Sequence, residues 1–392
     1  MQETRRRAAE PGAATGLVLT EPRSFDRRTF ALPDPMPDGG ILRVEACGLC
    51  GTDHEQYTGH IPNRHSFIPG HEVIGIVEEL GDEAADRWGV HAGQRVAVEV
   101  FQSCRDCEMC LAGVYRRCVR NGVATMVGFT DADEPPGLGG GYASHLALGR
   151  DAMLLPVPDA LDPVTATLFN PLGAGIRWGV ELPETKPGDV VAILGPGVRG
   201  LCAAAAAKEA GAGYVMLTGL GERDAERLAM APAFGVDLAV DVAEINPNQA
   251  LRAAIGSKAD VVVDVTAKAP AAFAQAVELA RPGGTIILAG TRGTSGAPGF
   301  EPDHIVYKEL RIIGALGVDV TAYRQALDML VSGRYPFADL PRQVAGFDDL
   351  EPLIQVMAGE RDGRPPVHGV FVPDAQTTPP PTSSPSTESG TP

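Results

Sequence analysis

Four of the seven cysteines are spaced Cys104-x2-Cys107-x2-Cys110-x7-Cys118. Four thiolates gathered in one short polar segment, beside Arg105, Asp106 and Glu108, suit tetrahedral coordination of Zn2+. Cysteine fills every ligand position and leaves none for substrate, so the set reads as a structural zinc site. Metal held there supplies folding free energy, on the order of 10–16 kcal/mol in zinc-finger peptides. Four unrelated free thiols are the bland alternative. A second set is Cys50-Gly-Thr-Asp-His54, followed by Gly70-His-Glu-Val-Ile-Gly75. Cys50, His71 and Glu72 offer a thiolate, an imidazole and a carboxylate to one metal that keeps an open position, the layout of a catalytic zinc. Asp53 is available to orient the His71 ring from behind. Cys47 and Cys50 also form a CxxC, so a redox pair competes with that reading. The third set is Gly195-Pro196-Gly197-Val198-Arg199-Gly200. It follows the apolar run Val190-Val-Ala-Ile-Leu194 and opens an Ala-rich stretch over 201–210. That is the strand–turn–helix context a dinucleotide site requires, with glycines admitting a pyrophosphate to the helix N-terminus.

The elements that must position these residues change character along the chain. Residues 16–165 carry short β-branched runs (Gly16–Leu19, Ile41–Val44, Val73–Val77, Arg95–Val100) between turn signals, and predict a mostly-β domain. From about 176, the apolar runs at Val190–Leu194, Tyr214–Leu217, Asp260–Val265 and Thr285–Ala289 alternate with helical patterns around 224–233 and 270–281. Strands alternating with helices imply a parallel sheet covered on both faces. The fold class is therefore α/β. Residues 322–373 add a helix, Ala322–Val331, and a closing strand at Val370-Phe-Val. Residues 1–15 read as frayed. In 375–392, 14 of 18 residues are Pro, Ser or Thr, too little apolar surface to offset ordering, which predicts a disordered tail.

Composition sets the outer limits. The chain has 392 residues, 44% hydrophobic and 21% charged, which excludes global disorder. The net charge of −17 argues against a nucleic-acid binder, since phosphate backbones repel it. No apolar run reaches the roughly 18 residues of a membrane span. Arg5, Arg6 and Arg7 precede no apolar segment, so no secretory signal is expected and the cysteines should meet a reducing cytoplasm.

In their order, these motifs resemble the zinc-dependent medium-chain dehydrogenase/reductase superfamily of alcohol and polyol dehydrogenases, over roughly residues 16–373. Gly70-His-Glu-x-x-Gly75-x5-Gly81 is similar to that family's zinc signature. The resemblance implies a GroES-like catalytic domain (1–175) holding the zinc lobe (104–118), a Rossmann doubly wound nucleotide-binding domain (176–322), and a C-terminal return to the catalytic domain (323–374). It implies Cys50 and His71 as catalytic zinc ligands, Thr52 as the hydroxyl that passes the substrate proton, and Cys104, Cys107, Cys110 and Cys118 as the structural site. Thr266 and Gly290, after the later apolar runs, join Thr218, Gly219 and the glycine loop as cofactor contacts.

Several positions depart from the pattern. The family's third ligand, usually Cys or Glu, aligns with Phe169-Asn170-Pro171-Leu172-Gly173, where Asn170 stands. A neutral amide is a poor zinc ligand. Either Glu72 coordinates, with Asn170 holding a water on the metal, or the catalytic zinc is weak or absent. The first is favoured because Cys50, Asp53, His71 and Glu72 all remain. Glu55 occupies the place of a proton-relay histidine, and the preceding His54 reads as a solvated surface residue. Arg199 stands where an apolar residue normally packs; phosphate contact and plain solvent exposure are both open. The second nucleotide strand ends Tyr214-Val-Met-Leu-Thr218-Gly219 without a carboxylate. Arg223 could take a 2′-phosphate, and Glu222 or Asp224 a ribose hydroxyl. NADP is favoured narrowly over NAD. Cys47 and Cys202 read as small buried residues.

The function so read is zinc-dependent hydride transfer between an alcohol (secondary alcohol, polyol or sugar) and NAD(P)+. The enzyme is expected in the cytoplasm as a homodimer or homotetramer, with Thr285–Ala289 and Leu310–Gly314 as candidate edge strands. Its partner is a small molecule, neither nucleic acid nor membrane. Two alternatives are a zinc-independent NAD(P)H-dependent carbonyl or enone reductase of the same fold, and a non-catalytic nucleotide-binding protein. Metal content separates the first and turnover the second.

Overall fold

The computed structural model describes residues 12–375, apart from 35, 63–64, 268 and 293–295. The reading of 1–11 as frayed, and of the tail from 376 onward, lies outside the described residues. Residues 13–15 are not frayed: they begin strand β1 (Ala13–Glu21), which forms a hairpin with β2 (Ser24–Ala31). Leu17, Val18 and Leu19 are buried, and this burial anchors the strand.

The β-rich half is one antiparallel sheet of β3 (Gly40–Gly48), β4 (Glu72–Leu80), β5 (Arg95–Val98), β6 (His145–Leu148) and β7 (Leu154–Pro156). Two late strands, β14 (Arg342–Ala345) and β15 (His368–Phe371), add to its edge, giving the order β14-β15-β3-β4-β5-β7 with β6 also on β3. Phe371 pairs with Cys47 and Val370 with Gly48, so the chain's end returns to the sheet that its beginning built. Leu42, Val44, Val73, Val77, Tyr142 and Phe371 fill the core beneath.

The second sheet holds β8 (Val190–Leu194), β9 (Tyr214–Gly219), β10 (Leu238–Asp241), β11 (Ala259–Asp264), β12 (Ala280–Leu288) and β13 (Arg311–Gly314). All pairs are parallel, in the order β10-β9-β8-β11-β12-β13. These strands are nearly continuous apolar runs because helices cover both faces. The order reverses between β8 and β11, and in such sheets the crevice beyond the strands' carboxyl ends at that switch point takes the ligand. Leu310–Gly314 does supply the edge strand, whereas Thr285–Leu288 lies in β12, paired on both sides.

The Ala-rich helix Val198–Glu209 has Ala203 to Ala207 buried, and small side chains let a second helix, Phe169–Ile176, come close. A Cβ on Gly175 would stand 2.6 Å from the Cys202 carbonyl carbon, so backbone meets backbone there. The helix Val320–Ser332 closes over the same core. No helix among the described residues is long and apolar enough to cross a membrane.

Candidate active site

The turn leaving β3 places Cys50 at the N-cap of the short helix Gly51–Tyr57. Its Sγ accepts from the Thr52 N–H at 3.3 Å, while its own N–H donates to Asp53 Oδ2 at 2.8 Å. This reciprocal cap fixes the cysteine and the carboxylate together. His71 and Glu72 arrive at the start of β4, where Glu72 pairs with Gly48 across from β3. A Cβ on Gly48 would stand 2.3 Å from Glu72 Oε2, so glycine leaves the room this carboxylate fills. The result is Cys50, His71 and Glu72 with donor atoms within 4.8 Å of one another. Asp53 Oδ1 faces His71 Nδ1 at 3.9 Å, and both atoms are buried without a hydrogen-bond partner.

The electrostatics of this group favour a cation. Burial raises the Glu72 pKa, opposed by His71 and Arg199; it raises that of Asp53, opposed by His71. For His71 burial acts downward, but Cys50, Asp53 and Glu72 outweigh it and lift the ring to about 9. Three acidic groups thus surround one imidazole, a donor set of thiolate, imidazole and carboxylate that fits zinc.

In the loop after β5, Cys104 and Cys110 have their sulfurs 3.7 Å apart, and Cys107 and Cys118 theirs 4.0 Å apart. A ZnS4 tetrahedron with Zn–S near 2.3 Å has edges of about 3.8 Å. All four sulfur atoms lie within 4.8 Å of one another and none is in a disulfide. Burial opposes ionisation of Cys118, yet the hydrogen bonds its sulfur accepts bring the thiol down to about 6.

The glycine loop follows β8. Gly195 has φ +106°, and a Cβ on Gly200 would stand 1.9 Å from the Gly195 carbonyl oxygen. Only glycine permits that turn and that approach. Gly197 caps the helix Val198–Glu209. A Cβ on Gly195 would touch Thr266 at 3.2 Å, and one on Gly290 would overlap the Thr266 carbonyl oxygen. The Thr218 carbonyl accepts from the Gly195 N–H at 3.2 Å, and Pro196 borders Gly219. The expected cofactor contacts therefore gather at the carboxyl ends of β8, β9, β11 and β12.

Residues 37–159 match the alcohol dehydrogenase GroES-like domain, and residues 199–332 match the zinc-binding dehydrogenase domain. A protein of Mycobacterium tuberculosis named as a probable alcohol dehydrogenase is 64% identical over 358 residues, 91% of this chain and 98% of that one. The chain belongs to the zinc-dependent medium-chain dehydrogenase family. Its activity is that of an NAD(P)-dependent alcohol dehydrogenase. Sorbitol dehydrogenase of Bacillus subtilis is 31% identical over 81% of this chain and 85% of its own. The crystal structure of a zinc-binding dehydrogenase from Sinorhizobium meliloti bound to NADP superposes with TM-score 0.77 at 27% identity, covering 92% of this chain and 99% of that one.

One expectation fails here, and residues whose roles the sequence left open find their partners. His54 is not a solvated surface residue: it is buried, with Nε2 at 2.8 Å from Glu360 Oε1, and Glu360 also takes both guanidinium nitrogens of Arg23. Hydrogen bonds from Arg23, with His54 beside it, pull the Glu360 carboxyl down to about 2. Arg199, partly exposed, turns to the Cys50 group. Its Nη2 donates to Cys50 Sγ at 3.3 Å and lies 3.7 Å from Glu72 Oε1, with the guanidinium 5.2 Å from the Trp178 ring centroid. Asn170 is buried on the Phe169–Ile176 helix, and its Nδ2 donates to the Tyr323 hydroxyl at 2.9 Å. Cys47 packs in the core against Gly70 and Gly141, and burial pushes its thiol well up, which disfavours a redox pair with Cys50. Sequence reasoning missed Tyr323, Trp178 and Thr291. Thr291 Oγ1 donates to Glu55 Oε1 at 2.9 Å, joining the loop after β12 to the Gly51–Tyr57 helix. No local motif marks these three, because each acts through a partner distant in sequence.

Proposed function

We propose that the chain catalyses reversible oxidation of a secondary alcohol or polyol with NADP+ at a zinc held by Cys50, His71 and Glu72. The observation that carries this is the convergence of those three donor atoms within 4.8 Å beside the glycine loop's Arg199. Glu72 supplies the third ligand, since it converges with Cys50 and His71 and the neutral amide of Asn170 is a poor zinc ligand. Bound there, zinc supplies Lewis-acid polarisation of the alcohol oxygen, and the nicotinamide supplies the hydride acceptor. The protein does the rest. Thr52, half-buried on the first turn beside Cys50, takes the alcohol proton at Oγ1 and passes it outward. Asp53, fixed by its cap on Cys50, holds the His71 ring. The backbone of Gly195 to Gly200 and the helix N-terminus receive the diphosphate. The bond from Thr291 to Glu55 joins the loop after β12 to the Gly51–Tyr57 helix.

The choice of NADP rests on the β9 loop. Asp224 accepts from the Leu220 N–H and from Arg227, and Asp241 accepts from the Gly221 and Ala243 N–H groups. Asp224 and Asp241 are engaged, whereas Arg223 and its neighbour Glu222 are both exposed with no hydrogen bond or ion pair among the described residues; the lean to NADP takes Arg223 as the 2′-phosphate contact, with Glu222 the carboxylate left for a ribose hydroxyl. The similar enzymes that act on polyols support the substrate class. The exposed edge at β13, flanked by exposed Val306 and Tyr307, is the surface through which subunits pair. The free thiols suit the cytoplasm.

Metal per chain, measured by mass spectrometry on protein purified without chelator, tests the reading together with NADP-linked oxidation of secondary alcohols and polyols. Two zinc ions are expected, one for each donor group, and Glu72→Ala should keep one and lose turnover. Full zinc and full activity in Glu72→Ala would remove Glu72 from the ligand set. A single zinc in active wild-type enzyme would overturn the zinc site and favour the zinc-independent reductase.

A further inference from the structure

Arg199 stands in the dinucleotide loop, yet its side chain is spent on the other site. It lies on the first turn of the Val198–Glu209 helix, two residues beyond the capping Gly197, where a cofactor's diphosphate meets the helix N-terminus. Its guanidinium nevertheless turns to Cys50 Sγ at 3.3 Å and to Glu72 Oε1 at 3.7 Å. Those are two of the three proposed metal ligands. Arginine keeps its charge throughout the working pH range, so the guanidinium and a divalent cation compete for the same two acceptors. The side chain is 29% exposed and rests on the Trp178 ring, which leaves it room to swing about that stack. On the loop side, the helix N-terminus on which it stands is where a dinucleotide's diphosphate would be received.

We infer that Arg199 couples the two sites. Metal binding at Cys50, His71 and Glu72 displaces the guanidinium, which then pairs with the cofactor's diphosphate, so metal and dinucleotide strengthen each other's binding. This rests on the proposed zinc site. By linkage the factor is the same whichever ligand binds first.

The experiment uses full-length protein from which the catalytic-site zinc has been removed by a mild chelator, leaving the four-cysteine site filled. Zinc affinity is measured by chelator competition with and without NADP+, and NADPH affinity by fluorescence with and without zinc. In the wild type each ligand should raise the other's affinity by about tenfold, within the usual range of coupling. In Arg199→Leu three changes are expected. Zinc alone binds at least as tightly as in wild type, NADPH binds more weakly, and the coupling factor falls to about one. Arg199→Lys, which keeps the charge, should retain part of the coupling, and Arg199→Gln replaces the leucine variant if that variant does not fold. Unchanged coupling in Arg199→Leu overturns the inference. So does weaker zinc binding in that variant without cofactor, which would make Arg199 a support of the ligands rather than a competitor. A wild type that binds its second zinc and turns over alcohol without any coupling refutes this inference alone, whereas failure to bind a second zinc refutes the proposed zinc site and the inference with it.

Discussion

Glu99→Gln should remove a loss of stability that wild type suffers as pH rises, so that the variant overtakes wild type above about pH 5. Glu99 follows β5 and is buried; its Oε1 accepts from the Phe101 N–H at 3.2 Å and its Oε2 from the Tyr115 hydroxyl at 2.8 Å. Burial, helped by nearby Asp319, outweighs these hydrogen bonds and lifts the carboxyl from 4.5 to about 8. The folded protein therefore holds a proton that the unfolded chain releases above pH 4.5. Stability is lost as pH rises from there, and the loss levels off above pH 8. At 1.36 kcal/mol per pH unit, the loss is about 3 kcal/mol at pH 7 and about 5 kcal/mol above pH 8. Glutamine has the same shape and no proton to hold. Its carbonyl still accepts from Phe101, but its NH2 cannot accept from Tyr115, a pH-independent loss of about 1 kcal/mol. The variant should thus be slightly less stable than wild type near pH 4, equal near pH 5, and more stable by about 2–4 kcal/mol between pH 7 and 8. The assay is urea unfolding of both proteins from pH 5 to 8 with zinc saturating. The readout is the difference in midpoints, because other titrating groups cancel and a metal-binding two-domain chain need not unfold in two states. A difference that stays flat from pH 5 to 8 would show Glu99 ionised in the folded protein and refute the reasoning.

Other residues give shorter tests. Arg223→Ala should raise KM for NADP+ about tenfold or more, the loss of one charged hydrogen bond, and leave KM for NAD+ nearly unchanged; equal effects reject the 2′-phosphate role. Thr291→Val removes the bond to Glu55 across the cleft and should raise KM for cofactor about two- to fivefold, with thermal stability unchanged; a stability loss without a KM change would make the bond merely structural. Tyr323→Phe leaves the buried Asn170 amide without its acceptor, so stability should fall by about 1–3 kcal/mol, while zinc content stays at the wild-type value if Asn170 is not a ligand.

The parts of the site legible in the sequence are those built by local backbone. Cys50 and Asp53 cap one helix three residues apart, His71 and Glu72 are adjacent at a strand's start, and four cysteines share one loop. The parallel sheet was legible because its strands are buried on both faces and so read as unbroken apolar runs, with the glycine loop marking the first of them. What depended on tertiary packing was not legible. Arg199 points to Cys50, 149 positions away, and its guanidinium lies over Trp178, a contact no local motif announces. His54 looked exposed on a short polar helix, yet Glu360, 306 positions on, covers it. Asn170 broke the expected ligand pattern, and its partner Tyr323 lies on a helix 153 positions later, where no motif stands.

The four-cysteine lobe bears on the candidate site through one tyrosine. Tyr115 lies three residues before Cys118, and its hydroxyl accepts from the Val320 N–H at 2.6 Å while donating to Glu99. Val320 opens the helix that carries Tyr323, and Asp319 at its N-cap binds Arg177 at 2.6 Å and faces Arg116 of the lobe at 3.8 Å. Tyr323 in turn holds Asn170. The four-cysteine loop thus meets the start of this helix through Tyr115 and Arg116, and the helix carries Tyr323, which holds Asn170. Cys107→Ser should lose the structural zinc and, with it, hydrogen-exchange protection at Val320 and Tyr323. Turnover should drop well beyond any change in substrate binding. Tyr115→Phe separates metal from contact: zinc content stays at the wild-type value, while the Val320 N–H and Glu99 both lose their tyrosine partner and protection at Val320 falls. A Cys107→Ser protein that lost the structural zinc yet kept full turnover and full protection at Val320 would show the lobe to be independent of the site.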